Sequence, residues 1–420
     1  MKILSLSNGH GEDAIAIQIL QQLQHHSLAP ELAALPLVGS GVAYDRAKIP
    51  IIGPVKQMPS GGFIYMDSSQ VLRDLRGGLL GLTLSQYKTI RNWADRGGKV
   101  LAVGDIVPLL FAWQSGAEYA FIGTAKSDYY LRGDDRQWLP QTSQLQRYFG
   151  SDYLPWERWL LDRGRCRAVF VRDELTAEIL NRKGIKAVFS GNPMMDGLAI
   201  EPKPRSLLED KTLSILLLPG SRMPEALANW HKILEAISGI INSFQDLKLV
   251  FLAAIAPGIW IEAFAGPLLL RGWVNTDLNA VNSPIQDRDA VVLTLQNAKI
   301  ILSQNSYRDC LQLASCAIAM AGTATEQFVG CGKPVITIPG EGPQFTYAFA
   351  EAQTRLLGSS VILVPNPDEV ANAIATLIQD RNLIEAIWAN GKKRMGDPGA
   401  AARIANSAIE SFAFSTPILG

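Results

Sequence analysis

Cysteine and histidine are scarce in this chain, four of each in 420 residues, and no net charge is left over. Cys166, Cys310, Cys316 and Cys331 make no CxxC pair, and the last three sit among apolar or small residues. That pattern favours small core side chains over a metal or redox centre. Lys plus Arg equals Asp plus Glu at 39 each. No global field therefore draws the chain to nucleic acid or to an anionic membrane. Long hydrophobic runs are missing too. The longest, residues 250–261, is too short to span a bilayer and is broken by Pro257 and Gly258. Met1 leads directly into a strand-like Lys2–Ser7 with no signal-peptide pattern. The expected location is cytoplasmic, extending to the inner face of a membrane through a local patch. HExxH, GxSxG and a Walker A lysine are all absent, since Gly332-Lys333 runs into Pro334 without the upstream glycine.

What remains is a well-packed composition, 48% hydrophobic and 19% charged, in a chain long enough for two domains. Short apolar runs alternate with helical segments throughout. In the first half the strand candidates are 3–7, 32–37, 100–103, 119–122, 168–171 and 187–189. In the second they are 213–218, 249–253, 299–302, 316–320, 335–338 and 361–364. Near-continuous apolar strands alternating with helices predict doubly wound α/β domains built on parallel sheets. Glu201-Pro202-Lys203-Pro204-Arg205 reads as the linker. The expected division is 1–200 and 201–397, with a helix over 398–420, opened by Pro398, packing back on the first domain. Ligands of open α/β sheets bind beyond the carboxyl ends of the strands. Two such domains facing each other would place the site in the cleft between them.

The most informative stretch is Ala321-Gly322-Thr323-Ala324-Thr325-Glu326, between an apolar strand and a helix expected near Thr325. Small residues there let an anion reach the unpaired N–H groups of a helix start, and Glu326 could accept from ribose hydroxyls. The pattern suggests a seat for a nucleotide diphosphate, although plain α/β packing produces it as well. Arg222, in Leu218-Pro219-Gly220-Ser221-Arg222, follows another strand and has a planar fork suited to phosphate. Taken alone, it could equally be a solvated residue opening a helix.

Ser7-Asn8-Gly9-His10-Gly11-Glu12-Asp13 follows the first strand. Its glycines do not fit GxGxxG, which argues against a nicotinamide enzyme. His10 is either a structural histidine or a functional one at a strand end. Asp105, in Val103-Gly104-Asp105, is either a carboxylate aimed at the site or the N-cap of the next helix. Gly133-Asp134-Asp135 reads as a solvated turn. Residues 57–93 mix Phe63, Ile64, Leu79, Leu80, Leu82 and Leu84 with Arg73, Arg76, Lys88 and Arg91. That mixture suits either a membrane-interface helix or core with a solvated face.

The ordered set Leu217-Leu218-Pro219-Gly220-Ser221-Arg222, Ala321 to Glu326 and Gly332-Lys333-Pro334-Val335 resembles lipid-A-disaccharide synthase and its relatives. Ser190-Gly191-Asn192-Pro193 with Met195-Asp196, and Val103-Gly104-Asp105, are similar to further segments of that family. The His-containing first loop is instead closer to galactolipid synthases and to the peptidoglycan enzyme that adds N-acetylglucosamine. The resemblance implies an inverting glycosyltransferase of the GT-B fold with a UDP-sugar donor and a lipid-linked acceptor. It implies that Arg222 and the backbone of Gly322, Thr323, Ala324 and Thr325 hold the diphosphate. Glu326 would then bind ribose, and Gln344 the donor sugar. Asn8, Gly9, Gly11 and Asp13 would line the acceptor side, with Asp105 or His10 as general base. No metal or other cofactor is required, because Arg222 and the helix start can carry the leaving-group charge. A sugar-nucleotide epimerase of the same architecture and a non-catalytic nucleotide-sugar-binding protein are the alternatives. Oligomeric state is not legible.

Overall fold

A computed structural model describes residues 1–56, 79–200, 202–276 and 285–413. The chain divides into two compact units. One joins residues 1–196 to the segment from Gly396 onward, and the other is Gly197–Met395.

The first unit contains β1 (Lys2–Ser7), α1 (His10–Gln24), β2 (Glu31–Pro36), α2 (Val42–Arg46), α3 (Leu79–Asp95), β3 (Lys99–Gly104) and α4 (Ile106–Ser115). It continues with β4 (Tyr119–Gly123), α5 (Gln144–Phe149), α6 (Pro155–Leu161), β5 (Cys166–Phe170), α7 (Glu174–Arg182) and β6 (Ala187–Val188). The strands form a six-stranded sheet in the order β2-β1-β3-β4-β5-β6, parallel at every pairing. Successive side chains of a strand point to opposite faces. Leu4, Leu6, Val100 and Ala102 accordingly join one core cluster, and Ile3, Leu101 and Val103 the other. Both faces are covered, which is why these strands read as continuous apolar runs.

The second unit holds β7 (Leu208–Glu209), β8 (Thr212–Leu218), α8 (Glu225–Ser243), β9 (Lys248–Ala254), α9 (Glu262–Leu269), β10 (Val274–Thr276), β11 (Val291–Leu295) and β12 (Ala298–Ser303). Then follow α10 (Tyr307–Leu313), β13 (Cys316–Ala319), α11 (Thr323–Gly330), β14 (Val335–Thr337), α12 (Tyr347–Leu357), β15 (Val361–Leu363), α13 (Val370–Gln379) and α14 (Arg381–Met395). The main path of this sheet is β10-β11-β12-β9-β8-β13-β14-β15, with β7 paired to β8. Its central strands are parallel, while β10, β11 and β7 pair antiparallel. These three escaped the sequence reading. Two of them are only two or three residues long, and the β11–β12 turn uses Gln296-Asn297, with Gln296 at φ 52, in place of a glycine turn signal.

The last helix, α15 (Ala400–Ala413), belongs to the first unit. Its Ala401, Ile404, Ala405, Ala408 and Ile409 pack in one cluster with Ile15, Ala16, Ile19 and Leu23 of α1. The helix does not open on Pro398 as expected. Its start is Ala400, where the Asp196 carboxylate accepts from the N–H groups of Gly399 (2.6 Å), Ala400 (3.0 Å) and Ala401 (2.8 Å). A side chain from across the unit thus supplies the cap that local sequence does not.

Of the apolar-basic stretch 57–93, residues 57–78 lie outside the described residues. The remainder is in α3, which packs inward through buried Ile90, Leu82 and Gln86. Gln86 Nε2 donates to the carbonyls of Leu37 (3.0 Å) and Pro54 (3.2 Å). Among the described residues no helix is long and apolar enough to cross a membrane. Cys310, Cys316 and Cys331 are buried, and burial pushes the thiols of Cys310 and Cys316 up to about 12.

Candidate functional site

In the second unit, β8, β13 and β14 lie side by side and parallel, with Leu218 opposite Ala319 and Ile318 opposite Ile336. Their carboxyl ends therefore release three loops next to one another, and these loops carry the expected donor residues. Met320 N–H donates to Leu218 O at 2.8 Å, tying the first two loops together. Gly220 has φ +104, and a Cβ on it would stand 3.3 Å from Met320 O. A glycine is needed on both counts.

Helix α11 starts at Thr323, two residues earlier than expected, with Gly322 as its N-cap. Thr325 is buried and its hydroxyl donates back to Ala321 O at 2.7 Å, so that side chain is spent on the turn. Thr323 is exposed, and Gly322, Ala324 and Glu326 are half-buried. The first N–H groups of a helix lack an acceptor in the preceding turn and here open among small residues, although that of Thr325 already donates to Gly322 O at 3.0 Å. Buried Gln353 of α12 steadies the approach, its Nε2 donating to Ala321 O at 3.1 Å and Gly322 O at 3.3 Å.

Arg222 is half-buried in the β8–α8 loop. Burial lowers its guanidinium below the usual value, and the nearby Glu225 carboxylate opposes that shift. Glu225 also accepts from the N–H groups of Gln344 (3.0 Å) and Phe345 (2.6 Å). One buried carboxylate thus joins the Arg222 loop to the Gln344 loop. Asn229 of α8 steadies the Arg222 loop itself, donating to Pro219 O at 3.0 Å. Sequence reading missed Glu225, Asn229 and Gln353, because each sits inside a helix whose pattern looks like ordinary amphipathicity. The structure brings Arg222, Gly322 to Glu326 and Gln344 to one edge.

The first unit has a matching edge. Ser7 of β1 lies opposite Val103 of β3, and Gly104 opposite Gly123 of β4, so Asn8, Asp105 and Thr124 leave adjacent strands together. Asp105 is the N-cap of α4, accepting from Val107 N–H at 2.8 Å. Asn8 Nδ2 also donates to it at 3.2 Å. Burial raises the Asp105 carboxyl, those two bonds pull it back, and the Glu157 carboxylate adds to the rise. Gly9 caps α1, His10 is exposed in its first turn, and Gly11 is half-buried beside it. Asp13 turns away from this edge. It is buried, accepts from Ser7 Oγ at 2.6 Å, and that hydroxyl shares a 2.6 Å bond with Tyr44.

Glu12 was not among the expected site residues, yet it faces the edge. Its Oε1 accepts from Thr124 Oγ1 at 3.3 Å. Gly104, at φ +132, makes the room, since a Cβ there would lie 3.2 Å from Glu12 Cγ. Burial pushes the Glu12 carboxyl up to about 7, against a bond from its own backbone N–H, and the Asp105 charge adds to the push. The only sequence signal was a carboxylate in the first turn of a helix, which usually serves the helix dipole.

No protein family and no curated protein matches the sequence. Solved structures do match over nearly the whole chain. UDP-GlcNAc 2-epimerase from Neisseria meningitidis, bound to UDP-GlcNAc, is 15% identical at a TM-score of 0.52, covering 98% of this chain and 100% of that one. MurG of Acinetobacter baumannii is 14% identical at 0.54, covering 97% and 99%. CalG4, the calicheamicin glycosyltransferase, is 13% identical at 0.56, covering 99% and 100%. The chain has the GT-B fold. At these identities the likeness establishes the architecture, which hosts both transferases and epimerases.

Proposed function

We propose that this protein is an inverting glycosyltransferase that moves a sugar from a UDP-sugar donor to an acceptor hydroxyl, and that the acceptor is lipid-linked. The observation that carries the reading is the side-by-side arrangement of Arg222 and the α11 start. A fixed cation and a row of backbone N–H groups on adjacent loops suit a diphosphate and its growing charge on departure. In this reading Gly322, Thr323, Ala324 and Thr325 hold the diphosphate, Glu326 takes the ribose, and Gln344 meets the donor sugar. The domain over residues 201–397 is then the donor domain, and that over 1–200 with α15 the acceptor domain. Asn8, Gly9 and Gly11 line the acceptor side, with Asp105 and His10 at the strand ends beside the group that takes the acceptor's proton. Asp13 is assigned to packing.

Arg222→Ala should lose about 1.5–3 kcal/mol of UDP affinity, the range for a hydrogen bond to a charged group. Calorimetry with unchanged affinity would remove the assignment. Comparing lipids from cells with and without the protein by mass spectrometry tests the acceptor class.

Peripheral membrane association is part of the reading. Exposed Tyr148 of α5 and Trp156 and Trp159 of α6 support it, with the Arg163 guanidinium 4.2 Å from the Trp159 ring centroid. Aromatic residues beside cations favour the membrane–water boundary. Flotation with anionic vesicles should carry the protein upward, and a wholly soluble protein with neutral and anionic vesicles alike counts against a lipid acceptor.

The epimerase alternative draws on one observation, the neighbouring carboxylates Glu12 and Asp105 at the strand-end edge of the first unit. Incubating a UDP-sugar without acceptor separates the two, because an epimerase changes the sugar and a transferase does not.

A further inference from the structure

We infer that Glu12 is the catalytic residue that accepts the acceptor hydroxyl's proton, with Thr124 and Asp105 as its positioning residues. This inference rests on the glycosyltransferase reading above. The step it describes is balanced. The proton of the acceptor hydroxyl passes to a Glu12 carboxylate oxygen as that hydroxyl's oxygen bonds to C1 of the sugar. The bond from C1 to the β-phosphate oxygen breaks, and its electron pair leaves with UDP.

The geometry separates Glu12 from its neighbours. Asp105 is already committed, one oxygen held by Val107 N–H at 2.8 Å and the carboxylate further bonded by Asn8. A carboxylate so held is a helix cap first, and taking a proton would weaken both bonds. Asp13 is enclosed with Ser7 and Tyr44. Glu12 instead reaches across the sheet edge from α1 to Thr124, over a glycine that leaves space for its stem. Gly9 is the N-cap of α1, so Glu12 has no capping side chain to answer, and a capping box does not explain its pose. Beside it, Asn8 is 5% exposed, and its Oδ1 has no hydrogen-bond partner among the described residues. A buried amide oxygen without a donor is costly unless something arrives to fill it. A sugar or lipid hydroxyl is such a donor.

The electrostatics agree with this placement. A proton acceptor works best with a pKa near the working pH, and Glu12 sits at about 7. The charged groups acting on it are Asp105 from the end of β3 and Asp13 on its own helix, both raising it, while the Thr124 hydroxyl lowers it.

The test follows UDP release from UDP-glucose, UDP-galactose and UDP-N-acetylglucosamine across pH 5–9, with a total lipid extract as acceptor and UDP affinity measured alongside. The wild-type rate should rise with pH through an inflection near 7. Glu12→Gln should lower it by roughly 10²–10⁴ at unchanged UDP affinity, the usual span for a lost general base. Asp105→Asn should move the inflection down and Thr124→Val should move it up, opposite shifts that a packing role would not produce. A Glu12→Gln enzyme within threefold of wild type, or an inflection that ignores both neighbours, overturns the assignment. Wild type that binds UDP but releases none from any donor also overturns it and leaves the nucleotide site standing. Absence of UDP binding overturns the donor reading itself.

Discussion

Lys333 carries a positive charge into the interior at 6% exposure, and three carbonyls receive it. Its Nζ donates to Leu311 O (2.8 Å), Gln312 O (2.7 Å) and Ala314 O (2.8 Å), the free acceptors at the end of α10. The Gly332-Lys333-Pro334 segment, part of the family resemblance, therefore has a packing role in this chain: a cation at a helix C-terminus. Lys333→Met keeps the stem and leaves those carbonyls bare. It should destabilise the second unit by about 1–3 kcal/mol in denaturant melts, with UDP affinity retained. Asp128 presents the opposite charge problem. It is fully buried, accepting from Ser151 Oγ at 2.9 Å and Asp152 N–H at 3.1 Å, and burial pushes its carboxyl up to about 7. The folded state then holds this proton more tightly than the unfolded chain, in which Asp titrates near 4. Between about pH 4 and 7 the native state binds more protons, so this group's contribution to stability falls as pH rises. Asp128→Asn should remove that share of the decline, read as a smaller stability loss between pH 5 and 8 than in wild type.

At the scale of elements, α15 depends on a residue 204 positions before Ala400. Asp196 bonds three consecutive N–H groups at its start, while the apolar stripe of α15 buries against α1. Asp196→Ala should cost about 0.5–2 kcal/mol, the range for a lost N-cap. Hydrogen exchange should quicken first over residues 399–403, since an uncapped helix frays from that end. Unchanged exchange there would mean that packing on α1 alone fixes the helix. The alternation of strands and helices was legible because β1, β3, β4, β8 and β9 are buried on both faces and mostly apolar. The antiparallel strands were not, because β7 and β10 have only two and three residues with which to declare a period and the β11–β12 turn carries no glycine signal.

At the scale of the molecule, each unit carries its own core and its own strand-end edge. Ligand binding stabilises only what it binds, by RT ln(1 + [L]/Kd), about 2.7 kcal/mol at one hundred times Kd. Saturating UDP should therefore slow hydrogen exchange around residues 218–226, 320–330 and 340–346. Protection that rises equally in the first unit would argue against a donor site confined to the second.

The sequence by itself determined the two α/β units, the parallel core strands, the small-residue loop before α11 and the strand-end positions of Arg222, Asp105 and His10. Those features are written in local periodicity and in residue types that only a turn or helix start requires. Tertiary structure decided which strand ends are neighbours, and with that which side chains meet. Glu225 bridging to Gln344, Gln353 holding Gly322, Asp196 capping α15 and Glu12 meeting Thr124 all join residues between 31 and 205 positions apart. No local pattern encodes such pairs, because the order of strands in a sheet is set by packing the whole unit. The same holds for charge. Glu12, Asp13 and Asp105 are ordinary carboxylates in the sequence, and only burial in the folded unit raises each of them.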